Sequence, residues 1–96
     1  MEVSYHPQVK RDVAEALHYY HRIAPQLADE FHADLRTMIE RAAAYPLRFH
    51  LAGRDFRRAN LQRFPYHVLY DVRQDSIRVL IVRHNKRHPD YGMNRK

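Results

Sequence analysis

Two apolar runs, Tyr66-His67-Val68-Leu69-Tyr70-Asp71-Val72 and Ile77-Arg78-Val79-Leu80-Ile81-Val82-Arg83, constrain what this chain can fold into more than any other feature. The link between them, Arg73-Gln74-Asp75-Ser76, is long enough only for a tight turn, so the runs read as neighbouring strands. Both are apolar on alternate and on adjacent positions, the pattern of central strands with helices packed across them. The second run feeds directly into His84-Asn85-Lys86-Arg87-His88-Pro89, a cluster of cations and imidazoles. A small sheet that delivers a basic, titratable surface is the first expectation.

The remaining elements fall on either side of that pair. Val3 and Tyr5 alternate with polar neighbours and predict a short first strand ending at His6-Pro7. Val9, Val13, Ala16, Leu17, Tyr20 and Ala24 recur at helical spacing, which predicts a helix from about Pro7 to Ile23. Pro25 opens a second helix whose apolar face is Leu27, Phe31, Leu35, Ile39 and Ala42, with Met38 beside it. Asp29 and Glu30 lie in its first turns, where the helix dipole favours negative charge. Tyr45-Pro46 ends it, because the residue before proline is pushed out of the α region. So short a link between amphipathic helices predicts an antiparallel hairpin. Residues 47–55 read as a loop turning at Gly53, and Phe56–Gln62 as a more polar strand ahead of the apolar pair. The expected order is β-α-α-β-β-β, an α+β domain with the helical hairpin on one face of a mostly antiparallel sheet. Residues 1–96 form a single domain, with 92–96 expected to be a mobile tail.

Charge is distributed unevenly over this plan. Residues 1–47 carry five Lys/Arg against seven Asp/Glu, while residues 48–96 carry twelve against four. The resulting net charges, −2 and +8, favour an anionic partner for the second half: nucleic acid, ribosome or an acidic protein segment. At 96 residues, folding buries somewhat over ~60% of the chain's surface, enough for one modest core. With no cysteine, disulfides and thiolate metal sites are excluded, which fits a reducing cytosol. The first residues lack the basic and apolar regions of a signal peptide, and no apolar run is long enough to span a bilayer. A cytoplasmic location and no membrane partner are therefore expected. Two glycines in the whole chain rule out phosphate loops of the P-loop or Rossmann kind. Ser4, Thr37 and Ser76 stand in no nucleophile elbow.

Three local features carry a resemblance: Arg57-Arg58 entering one strand, Arg63-Phe64-Pro65-Tyr66 opening the next, and the exit His84-Asn85-Lys86-Arg87-His88-Pro89. With the element order and length, they make the chain similar to RelE/ParE-superfamily toxins of bacterial type II toxin–antitoxin systems, over about residues 3 to 91. The resemblance implies a cytoplasmic toxin that inhibits growth, forms a hetero-oligomer with a cognate antitoxin and uses no cofactor. Plasmid stabilization is a role associated with such modules. Members on this scaffold include ribosome-dependent mRNA endonucleases and gyrase poisons without nuclease activity, and the Phe-Pro-Tyr opening resembles the ParE side. DNA gyrase and ribosome-bound mRNA are thus the two implied targets.

Metal-independent RNA cleavage needs a base for the 2′-hydroxyl, cations for the phosphorane and an acid for the leaving 5′-oxygen. Arg58 and Asn60 share a strand face, His67 follows the next strand's opening aromatic, and Lys86, Arg87 and Tyr91 follow the last strand. Against the nuclease pattern, Arg58 and Lys86 match as cations and Tyr91 as the terminal aromatic. Asn60 and His67 depart from it. His67 is either a base near neutral pH or a strand residue packed between aromatics. The catalytic candidates are accordingly Arg58, His67, Lys86 and Tyr91, and the target-binding candidates Arg57, Arg63, Arg83, His84, Arg87 and His88. His84 and His88 have zinc-like spacing without a cysteine pair, and His18 with His21 is a weaker signal, so no metal is expected. The alternatives to a gyrase- or translation-directed toxin are a RelE-type endonuclease and a non-toxic basic RNA- or ribosome-binding module.

Overall fold

A single residue, Ala24, separates α1 (Val9–Ile23) from α2 (Pro25–Ala44), so the helices fold back on each other as a hairpin. Pro25 takes the first helical position, where its missing N–H would have no partner in any case. The computed structural model describes residues 1–96, and the hairpin follows a first strand, β1 (Glu2–Tyr5). After it come β2 (His50–Leu51), β3 (Arg57–Asn60), β4 (Tyr66–Val72) and β5 (Ser76–His84). The sheet order is β1-β5-β4-β3-β2, with β1 parallel to β5 and every other pair antiparallel. The α+β architecture and the helical hairpin are as expected from the sequence.

Phe31, Leu35, Met38 and Ile39 of α2 pack with Val9 and Ala16 of α1 on the sheet residues Ala59, Val68, Tyr70, Ile77, Val79 and Val82. The Phe64-Pro65-Tyr66 turn locks the sheet to the hairpin through rings. Phe64 lies 4.8 Å from Tyr20 and 5.4 Å from Phe31, and Tyr66 lies 4.9 Å from Phe31, each edge-on. Such pairs contribute about 0.5–1.5 kcal/mol beyond burial alone.

Three expectations change. The loop 47–55 contains an extra two-residue strand, β2, which pairs His50 with Arg58 and Leu51 with Arg57. The strand expected over Phe56–Gln62 is shorter, Arg57–Asn60, because Asp34 of α2 takes the N–H groups of Gln62 at 3.1 Å and Arg63 at 2.8 Å. The first helix begins at Val9 instead of Pro7, since the Gln8 N–H turns back to donate to His6 Nδ1.

The register of β4 with β5 shifts between Leu69 and Tyr70, which pair with Ile81 and Val79. Leu80 is the extra residue, a bulge that breaks strict alternation. Val79 and Val82 face the helices, whereas Leu69, Leu80 and Ile81 form a second small core with Phe56, Tyr91 and Met93. This second core explains why the central strands are apolar on both faces. The C-terminal residues fold back beside it: Arg95 is 8% exposed and its guanidinium is bonded to the Asp12 carboxylate. Gly92, at φ 76°, makes the return possible, and a Cβ there would lie 2.9 Å from Ile81 Cγ1.

Candidate functional site

His67 sits on β4 with its side chain on the sheet face away from the hairpin, 1% exposed. Arg83 Nε donates to His67 Nε2 at 2.9 Å. Because a guanidinium can only donate, Nε2 accepts and Nδ1 carries the proton, which it donates to Asn85 Oδ1 at 2.8 Å. Burial, with the Arg58 and Arg83 charges adding to it, lowers the imidazole pKa to about 4, against the opposing bond to Asn85. The ring is neutral at physiological pH, and both its nitrogens are occupied.

Arg58 and Asn60, alternate residues of β3, meet as expected, Arg58 Nε donating to Asn60 Oδ1 at 2.8 Å. Arg58 also reaches Asn85 Oδ1 at 3.4 Å. Arg83 extends the chain of bonds by donating to the carbonyls of Pro89 and Tyr91 at 2.9 and 3.0 Å. The fold thus brings Arg58, His67 and Arg83 together with the backbone of Tyr91 around Asn85.

The Tyr91 hydroxyl points elsewhere. It donates to Asp12 Oδ1 at 2.7 Å, and burial together with that bond raises its pKa. Asp12 is the buried acid of α1, accepting also from the Val82 N–H at 3.0 Å and from Arg95 Nη1 at 2.6 Å. Sequence reading did not single out Asp12 or Arg95. The signal for Asp12 lay in its spacing, three residues after Val9 and four before Ala16 on the buried stripe. Arg95 left no such trace.

Several cations offered as target contacts are engaged within the fold. Arg57 Nη1 donates to the carbonyls of Phe49 at 2.7 Å and Leu47 at 3.3 Å. Arg63 pairs with Glu30 of α2, away from the His67 group. The Nδ1 atoms of His84 and His88 accept the N–H groups of Lys86 and Asp90 at 3.0 and 3.1 Å. Arg87 lies with its guanidinium 3.9 Å from the Tyr91 ring centre. Lys86, Arg87 and His88 are exposed, and no side-chain bond ties Lys86 to the His67 group.

On the opposite side of α1, an open groove of about 1120 Å³ separates the hairpin from the free edge of the sheet. Val3 and Tyr5 of β1, Val13 and Leu17 of α1, and Leu35 and Ile39 of α2 supply its apolar lining. All its residues come from positions 1–44, the half with the acidic balance. β1 pairs only with β5, so its other edge presents backbone donors and acceptors beside the groove.

The family described as the ParE toxin of type II toxin–antitoxin systems, parDE, matches residues 3–89. A solved structure titled as the chromosomal ParDE TA system from P. aeruginosa superposes with a TM-score of 0.74 at 18% identity. The match covers 88% of this chain and 95% of the other. That likeness speaks for the fold. No curated protein matches the chain in sequence.

Proposed function

The chain belongs to the ParE toxin family of type II toxin–antitoxin systems, and from that premise we propose that it arrests growth by gripping DNA gyrase, not by cleaving RNA. The observation that supports this choice is the engagement of His67 and Tyr91, two of the three proton-transfer candidates, the third being the exposed His88. His67 has no nitrogen left for a 2′-hydroxyl, and the Tyr91 hydroxyl serves the buried Asp12. A general base must come within hydrogen-bond reach of the proton that it takes, at a pKa near the working pH. A neutral, buried imidazole with a pKa of about 4 fits neither requirement.

The antitoxin is assigned to the groove between hairpin and sheet. An amphipathic segment would lay apolar side chains against Val13, Leu17 and Ile39, and could add a strand along β1. This moves the partner away from the basic half, where charge alone had suggested an acidic segment would lie. Lys10 and Arg36 on the groove's margin still suit carboxylates on such a segment.

Induced expression with two readouts tests the reading. Purified toxin is expected to inhibit gyrase supercoiling, and cellular mRNA is expected to stay intact. Tyr91→Phe, which deletes only the hydroxyl, is expected to keep growth arrest. Ribosome-dependent mRNA cleavage that disappears in Arg58→Ala or Tyr91→Phe would overturn the proposal in favour of an endonuclease.

A further inference from the structure

The segment between α2 and β3 is built unlike an ordinary surface loop. From beneath, Arg57 holds the carbonyls of Leu47 and Phe49, and the Tyr70 hydroxyl donates to the Pro46 carbonyl at 2.7 Å. Phe49 turns inward, edge-on to Tyr70 at 6.2 Å. Leu47 and Leu51 turn outward, 68% and 61% exposed. Leu51 pairs directly with Arg57, the residue that bonds the Leu47 carbonyl, so the two leucines flank one anchor. Large aliphatic side chains held in water on a backbone fixed by three side-chain bonds make a preorganised surface, which lowers the entropic cost of association.

The chemistry around them selects the partner. Arg48, His50 and Arg54 are exposed beside the leucines, with Asp55 the one acid of the segment. Arg48 rests against the Tyr45 ring at 4.3 Å. Arginine and tyrosine are enriched at protein interface hot spots, and here they stand beside two exposed leucines whose burial adds apolar area. Single-stranded nucleic acid is instead gripped by aromatic faces on which bases stack; the leucines offer none, and Arg48 already covers one face of the exposed Tyr45 ring. β2 is the last strand of the sheet, four strands across from β1 and hence about 19 Å from the groove edge at the usual strand spacing.

We propose that Leu47 and Leu51, with Arg48 and Arg54 around them, form the surface through which this chain grips its protein target, an apolar recess rimmed by carboxylates. The inference rests on the gyrase reading and adds the surface that carries it. Antitoxin bound in the groove leaves this edge uncovered unless its chain extends around the domain.

The test uses the full chain carrying Leu47→Asp with Leu51→Asp, and separately Arg48→Glu with Arg54→Glu. Each is assayed for inhibition of supercoiling by DNA gyrase, for antitoxin affinity by calorimetry and for thermal melting. The leucine variant is expected to need at least ~30-fold more protein for half-inhibition, as loss of a hot spot implies. Its antitoxin affinity is expected to stay within about twofold of the parent's and its melting to be unchanged, because both side chains are solvated. The arginine variant is expected to weaken inhibition with a reduced dependence on salt. Undiminished inhibition by the leucine variant overturns the proposed surface while leaving the gyrase reading standing. A parent protein that leaves gyrase untouched overturns both. Sedimentation as a dimer that the leucine changes dissolve would assign the surface to a second copy and overturn the proposal.

Discussion

Asp12 shows how much one buried charge can organise. Its carboxylate receives Arg95, the Tyr91 hydroxyl and the Val82 N–H, and so binds α1, β5 and the C-terminal segment at one point. Removing it by Asp12→Ala leaves a buried guanidinium without its counter-charge, which costs ~3–5 kcal/mol. The double variant Asp12→Ala with Arg95→Met removes both charges and is expected to recover a large part of that loss, as urea melts of the two proteins would reveal. His67 sets a pH dependence of its own. Its folded pKa, about 4, lies below the ordinary 6.5, so the unfolded chain binds the proton more readily. Stability from this residue is complete above pH 6.5 and is lost as pH falls towards 4, by roughly 3 kcal/mol in all. Imidazole NMR signals should show His67 still neutral at pH 5.5. A midpoint near 6.5 would mean that the ring is open to water.

At the scale of elements, the α2 stripe makes the sharpest prediction. Leu35 is buried in the main core, and Leu35→Ala is expected to cost ~2–5 kcal/mol in denaturant melts. Arg58→Ala is expected to be mild, because its partners Asn60 and Asn85 are exposed and can turn to water. The helices were legible because both have regular apolar periods, and the hairpin because a single residue joins them. The β4–β5 pair was equally plain from its two apolar runs. β2 escaped notice because two residues carry no period, and its pairing depends on Arg57 holding the loop from below. The Leu80 bulge was hidden for a related reason: a continuous apolar run looks the same with or without an inserted residue. In the site, the grouping of Arg58 and Asn60 followed from strand alternation. The engagement of His67 by Asn85 and Arg83 depends on tertiary register, which spacing does not encode. The contacts of the C-terminal segment, the Arg95–Asp12 ion pair and the packing of Tyr91 and Met93, leave no periodic signal in the sequence.

The whole molecule separates two kinds of surface. The groove is mainly apolar and built from residues 1–44, whereas twelve of the seventeen Lys/Arg lie in residues 48–96. Association with the antitoxin should therefore draw on apolar burial, and association with the target on charge from Arg48 and Arg54 as well as on the exposed leucines. Screening acts strongly on exposed charges once the Debye length falls to a few ångströms, and hardly at all on buried apolar area. Raising salt from 0.1 to 0.5 M is expected to change antitoxin affinity by less than about tenfold and to weaken target association more steeply. Leu17→Asp, which sets a carboxylate in the apolar groove, is expected to weaken antitoxin binding by at least ~30-fold. The same change should leave growth arrest in place when the variant is expressed without antitoxin, since Leu17 lines the groove beside β1 and not the β2 edge of the sheet that carries Leu51. Calorimetry at the two salt concentrations, beside a growth assay of the variant, checks both expectations. Antitoxin affinity that collapses with salt, yet survives Leu17→Asp, would place the antitoxin on the basic half instead.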